Sequence, residues 1–237
     1  MLRRTFLTLA LLAISACSVR DAACGRPPDT TSTGAAPVEA PPAVSSADPA
    51  SGSVVVAFLG DSLTAGYGLL SDQAFPALLE QQFAAEGYSV ESINAGVSGD
   101  TSAGGLRRAS QVLGGAHVLV LALGGNDALR GLTTQQTQEN LSQIIEQALG
   151  KNVQVLLCGM EAPTNYGEDY RDSFRQVYMN LLRQYTGRIA FLPFLLEGVA
   201  GNPALNQADG IHPNVEGSKI VATVVYPQLR MLVDRVG

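Results

Sequence analysis

The sequence predicts an α/β fold, with a five-stranded, parallel, doubly wound sheet covered by helices on both faces. Three observations carry that expectation. From Ser53 onward, short apolar runs alternate with stretches of helical period. The runs are apolar throughout, as strands buried on both faces are. Polar clusters follow several of the runs, where open α/β sheets form their sites at the carboxyl ends of strands.

Taken in order, residues 54–59 are apolar and mostly β-branched, so they read as a first buried strand. "GDS" ends it. Residues 75–86 follow as a helix, then a strand over 90–94 that runs into "AGVSGDTS". A helix over 102–110 leads to a strand over 118–123, which ends in "GGND". In the next helix, 134–149, Leu141, Ile144, Ile145, Ala148 and Leu149 fall on one face at helical spacing. A strand over 153–158, a helix over 170–185, a strand over 189–191 and a helix over 215–236 complete the pattern. Right-handed crossovers leave few topologies for such a chain, and the doubly wound sheet is the simplest.

The 52 residues before this domain are of a different kind. "MLRR" is a basic start and residues 5–16 are an apolar segment too short to span a bilayer, which together read as a secretory leader. The leader ends in "ISAC", which resembles a bacterial lipoprotein signal, with residues 1–16 removed and Cys17 lipidated. Losing Arg3 and Arg4 takes the formal charge from −6 to −8. Residues 17–52 are a tether, holding six of the twelve prolines among Ala, Ser, Thr and Gly. A flexible coil of that length spans roughly 30 Å. Residues 53–237 form the domain.

The acidic balance argues against a nucleic-acid partner, which needs a basic face. Hydrophobic content of 46% and mean hydropathy of +0.15 suit a globular domain rather than a disordered chain. Beyond Cys17 only Cys24 and Cys158 remain. Cys24 is in the tether and Cys158 ends an apolar run, so a disulfide between them is not expected. A small buried thiol accounts for Cys158.

Two histidines make the search for a general base short. His117 precedes the third strand, at the amino edge of the sheet, about 20 Å from the carboxyl rim. It reads as a surface or structurally satisfied residue. His212 lies in "DGIHPN", before the last helix, three residues after Asp209. That spacing lets a carboxylate hold Nδ1–H and leaves Nε2 free as a base. The alternative is that Asp209 and Asn214 cap the helix, with Pro213 suiting its first turn. Ser62 supplies a hydroxyl that such a base would activate, or else it caps the helical turn that follows. Asp61 is an acid, a metal ligand or, preferably, a support of that turn. "GGND" offers close backbone approach at Gly124 and Gly125 and two uncharged donors on Asn126. Its bland reading is a turn with Asn126 in left-handed conformation. Asp127 orients the loop, Gly99 has a backbone N–H that suits the same oxygen, and Asp100 and Thr101 cap the next helix.

These blocks, "LGDSLTAGYG", "NAGVSGDTS", "LGGNDALRG" and "DGIHPN", resemble in order and spacing those of the GDSL-type SGNH hydrolases. They are most similar to the bacterial periplasmic thioesterase/lysophospholipase group, also called arylesterases. The resemblance implies a three-layer α/β/α, flavodoxin-like sheet. It implies Ser62 as nucleophile, Asp209 and His212 as its triad partners, and Ser62, Gly99 and Asn126 as oxyanion donors. It also implies Leu129, Pro163 and Tyr166 on the substrate side, although "EA" in "MEAPTNYG" stands where that group carries a basic–apolar pair. No cofactor or metal is implied. The partner is a small acyl ester, thioester or lysophospholipid, and membrane contact is through the N-terminal lipid only.

Three other functions compete. A carbohydrate O-deacetylase belongs to the same family, but the apolar stretches 128–132 and 191–199 favour an acyl chain over a sugar. A metal-dependent phosphoesterase wants several His and Asp ligands, and only His212 is suitably placed. A non-catalytic lipid-binding lipoprotein would not need Ser62, Asn126, Asp209 and His212 together. The expected location is the bacterial cell envelope, facing the periplasm, with Ser18 after Cys17 favouring the outer membrane.

Overall fold

The computed structural model describes residues 52–237. The leader, Cys17, Cys24 and nearly all of the tether lie outside the described residues. Five strands form one sheet in the order β2-β1-β3-β4-β5, and every neighbouring pair is parallel. They are β1 (Val54–Gly60), β2 (Val90–Gly96), β3 (Val118–Ala122), β4 (Gln154–Cys158) and β5 (Ala190–Leu192). Among the described residues seven α-helices accompany them: α1 (Ser62–Ala65), α2 (Phe75–Ala85), α3 (Ser102–Val112), α4 (Gly125–Leu129), α5 (Thr134–Gly150), α6 (Glu168–Gln184) and α7 (Val215–Val236). The doubly wound sheet expected from the alternation is present. Packing of α2 on α7, and of α3 and α6 on α5, gives a helical layer on each face.

Residue chemistry explains which strands lie where. Every residue of β1 and β3 is buried, and both are central. Leu59 and Leu121 are paired in register and fully buried. Burying each such side chain contributes about 1.5–3 kcal/mol relative to exposure. The second strand differs from the expectation of an apolar run. Its sequence, VESINAG, carries Glu91, Ser92 and Asn94, and it is a half-buried edge strand. An edge tolerates these side chains because one flank is open to water. The last strand is only three residues long, at the opposite edge.

The order 2-1-3-4-5 places the switch point between β1 and β3, whose crossovers leave in opposite directions. Gly60 pairs with Gly96 on one side and Ala122 on the other, so three strand ends stand in line. There α1 lies directly on the end of β2, since a Cβ on Gly96 would meet the Ala65 nitrogen at 2.2 Å. No side chain fits between them. The position of α1 is therefore set by backbone contact.

His117 lies at the other end of β3, and its Nδ1 accepts from the Val55 N–H at 2.9 Å. It is a satisfied structural residue. Cys158 is a buried free thiol, and burial pushes its pKa up to about 12, which leaves it inert.

Candidate active site

The first strand breaks at Gly60 because the chain must turn sharply into α1. Thr64 stands over that turn, and a Cβ on Gly60 would meet its Oγ1 at 1.9 Å. Asp61 is the N-cap, its Oδ1 accepting from the Leu63 N–H at 3.0 Å. Because Asp61 caps the helix, Ser62 is free for other work. It occupies the first helical position, where backbone N–H groups have no intrahelical acceptor.

The Ser62 hydroxyl reaches His212. Its Oγ lies 2.8 Å from Nε2, while Nδ1 lies 2.7 Å from Asp209 Oδ2. Asp209 also accepts from the Ile211 and His212 N–H groups at 2.9 and 3.0 Å through its other oxygen. These bonds, foremost those from His212, hold its carboxyl down to about 2. Asp209 is thus a fixed negative partner above that pH, and it loses this role only as pH falls through about 2. The competing expectation, that Asp209 caps the last helix, is not met. Asn214 does that, its Oδ1 accepting from the Gly217 N–H at 3.0 Å.

The loop carrying Asp209 and His212 is a small hairpin. Asn206 bridges Pro213, and the Gln207 N–H donates to the His212 carbonyl at 2.8 Å. Gln207 Nε2 then donates to the carbonyls of Tyr67 and Pro213 at 2.6 and 3.0 Å, tying the hairpin to the segment after α1. The Tyr67 ring packs on the imidazole, with centroids 4.6 Å apart. Neither residue stands out in the sequence, because both act across about 140 residues.

"GGND" is a helix start rather than a loop. Gly124, at φ 116°, is the N-cap of α4, and Asn126 is its second residue. A side chain at Gly124 would meet the Tyr178 hydroxyl at 2.2 Å. Asn126 Nδ2 donates to the Asp100 carbonyl at 3.0 Å and to Asp61 Oδ2 at 3.2 Å. Burial raises the Asp61 carboxyl to about 6 against the pull of these donors. Asp127 is buried and accepts from Ser102 N–H, Ser102 Oγ and Thr137 Oγ1, so it orients the loop as expected. Gly99 closes the third side at φ 81°, in a turn where the Asp100 N–H donates to the Val97 carbonyl at 3.0 Å. Of the two residues expected to cap α3, only Thr101 does. Asp100 ion-pairs with Arg108 instead.

Ser62, Gly99, Asn126 and His212 all line one cavity of about 510 Å³. Its apolar wall includes Leu129, Met160, Pro163, Phe194, Leu196 and Ile211, a size and lining suited to a small ligand. Leu129 and Pro163, the residues the resemblance placed on the substrate side, are both on this wall. Tyr166 stands outside the lining and supports it from behind, donating its hydroxyl to the Leu129 carbonyl at 2.8 Å. Glu161, the departure in "MEAPTNYG", faces the cavity and is gripped by Arg175 Nε at 2.9 and 2.8 Å. Among the described residues no three or more His, Cys, Asp or Glu come together so as to hold a metal ion.

A model of the GDSL-like lipase/acylhydrolase family matches residues 58–220. The chain belongs to that family. It is 42% identical over 176 residues to Esterase TesA of Pseudomonas aeruginosa, covering 73% of this chain and 87% of that protein. It is 38% identical over 178 residues to thioesterase 1/protease 1/lysophospholipase L1 of Escherichia coli K12, covering 74% and 83% respectively. Among solved structures, that of TesA superposes with a TM-score of 0.71 at 41% identity, covering 76% of this chain and 99% of that one. As in other members of the GDSL-like family, the fold is α/β. The protein is a hydrolase of ester bonds.

Proposed function

We propose that this GDSL-like hydrolase cleaves small carboxylic esters, thioesters and lysophospholipids through an acyl-enzyme on Ser62. The observation that carries the reading is the continuous hydrogen-bonded relay from Asp209 through His212 to Ser62 at the mouth of an apolar cavity. Relatives named esterase, thioesterase and lysophospholipase support the substrate class.

The reaction follows from the geometry. Ser62 Oγ attacks the substrate carbonyl carbon as its proton passes to His212 Nε2. Asp209 keeps the imidazole in the required tautomer and balances the imidazolium. The carbonyl oxygen, now negative, takes N–H donors from Ser62, Gly99 and Asn126. His212 then returns the proton to the leaving alcohol or thiol, and water repeats the cycle on the acyl-serine. In the free protein Asn126 Nδ2 donates to two acceptors, the Asp100 carbonyl and Asp61 Oδ2. The developing oxyanion displaces the longer one, the 3.2 Å contact with Asp61. An uncharged amide makes that exchange favourable only once the oxygen carries charge.

A panel of short and long p-nitrophenyl esters, acyl-CoA, lysophospholipid and acetylated oligosaccharide tests the substrate class. Turnover of the acyl esters is expected, and it is expected to survive exhaustive chelation. Activity confined to acetylated sugar would favour the deacetylase, and activity lost to chelator but restored by a divalent metal would favour the phosphoesterase.

The leader motif supports a lipid anchor on Cys17 and a position in the bacterial envelope, with the domain facing the periplasm at the outer membrane. Cys17→Ser is expected to move the full-length protein from the membrane fraction to the soluble one with catalytic constants unchanged. Unaltered fractionation would contradict the anchor.

A further inference from the structure

One guanidinium touches the two segments that carry the proposed nucleophile and Gly99, including the residue whose carbonyl holds Asn126. Arg108, on α3, donates from Nη2 to the Gly60 carbonyl at 2.9 Å and from Nη1 to the Ala95 carbonyl at 2.5 Å. Its Nε donates to Asp100 Oδ2 at 2.8 Å. Gly60 precedes the turn that presents Ser62. Ala95 is near the end of β2, on which α1 rests. Asp100 follows Gly99, and its carbonyl holds Asn126 Nδ2.

The clamp is built rather than incidental. The Arg108 and Asp100 side chains are only 21% and 14% exposed, unlike a solvated surface pair. Gly104 leaves room for the carboxylate, since a Cβ there would meet Asp100 Oδ1 at 1.7 Å. Three acceptors in three directions suit a rigid planar fork with separate donors, and an ammonium on a flexible stem cannot match all of them.

We propose that Arg108 is a positioning residue for acyl transfer, fixing the ends of β1 and β2 and the Asp100 loop so that Ser62, Gly99 and Asn126 converge on one oxygen. Arg108 does not line the cavity and acts through these backbone segments. A loosened convergence weakens transition-state binding more than ground-state binding, because the oxyanion exists only in the former. The proposal rests on the reading of Ser62 as nucleophile.

The test compares Arg108→Ala, Arg108→Lys and Asp100→Asn in the full chain. Each preparation is titrated with a fluorophosphonate, so that kcat with p-nitrophenyl butyrate is expressed per reactive serine. Arg108→Ala is expected to lower kcat per site by ~10- to 100-fold, the scale of a misplaced reacting group, with KM within about threefold. Arg108→Lys should recover part of the loss, and Asp100→Asn should lower kcat without raising KM. If Arg108→Ala does not fold, the Lys and Asn variants decide by the same readouts. Unchanged kcat per titrated site, with fewer sites or a lower melting temperature, would make Arg108 a folding residue and overturn the proposal. A rise in KM at constant kcat would overturn it too. The Ser62 reading fails separately, by turnover persisting in Ser62→Ala.

Discussion

Replacing Ser62 with alanine is expected to lower kcat on the order of 10⁶-fold, the scale seen when a serine hydrolase loses its nucleophile. The hydroxyl oxygen is the Ser62 atom that lies within hydrogen-bond distance of His212 Nε2, and it is the atom that would form the acyl bond. The fold should survive, because Asp61 rather than Ser62 caps α1. The melting temperature should therefore stay close to that of the parent while turnover disappears. Residual activity should match what the donors and cavity supply without covalent chemistry. A steady-state assay with a p-nitrophenyl ester, set beside a thermal melt, checks both parts. Full turnover in a folded Ser62→Ala would remove the mechanism.

Asn126→Ala is expected to lower kcat by ~10²- to 10³-fold, about 2.7–4 kcal/mol, with little change in KM. The loss falls on kcat because the amide's partners in the free protein are Asp61 and Asp100, not a substrate. A ground-state carbonyl competes poorly with these acceptors, and a charged oxygen competes well. Some fluorophosphonate labelling should persist, since Ser62 and His212 remain. An increase in KM with kcat intact would instead assign Asn126 to ground-state binding. The truncation also leaves buried Asp61 without one donor, so stability should be measured alongside.

The legible parts of this molecule are those with local causes. Strand–helix alternation follows from burial of one face after another, so the sheet and its longer helices are legible from periodicity. Asp209 and His212 lie three residues apart, so their pairing is legible beside the alternative that Asp209 caps the last helix. Ser62 by itself is ambiguous in the sequence, because a serine after a strand can cap the next helix or point at a substrate, and only the family resemblance chooses between them. The Asp61 side chain takes the cap, so Ser62 does not serve as one.

Residues with distant causes were not legible. Arg108 reads as one of two adjacent arginines on an amphipathic helix, yet its partners lie 48, 13 and 8 residues away. Gln207 and Tyr67 meet across 140 residues. The second strand was read as an apolar run, and its edge position explains its polar residues. "GGND" reads as a loop in the sequence, because a glycine pair suits a turn. Here Gly124 caps α4 and leaves space for Tyr178.

The central claim is that Ser62 carries the covalent intermediate while His212 accepts its proton. Intact-mass analysis of the protein treated with a fluorophosphonate, followed by peptide mapping of the adduct, tests it most directly. The account predicts one adduct per chain, on the peptide containing Ser62 and absent in Ser62→Ala. An adduct on any other residue, or ester turnover with no adduct at Ser62, would contradict it.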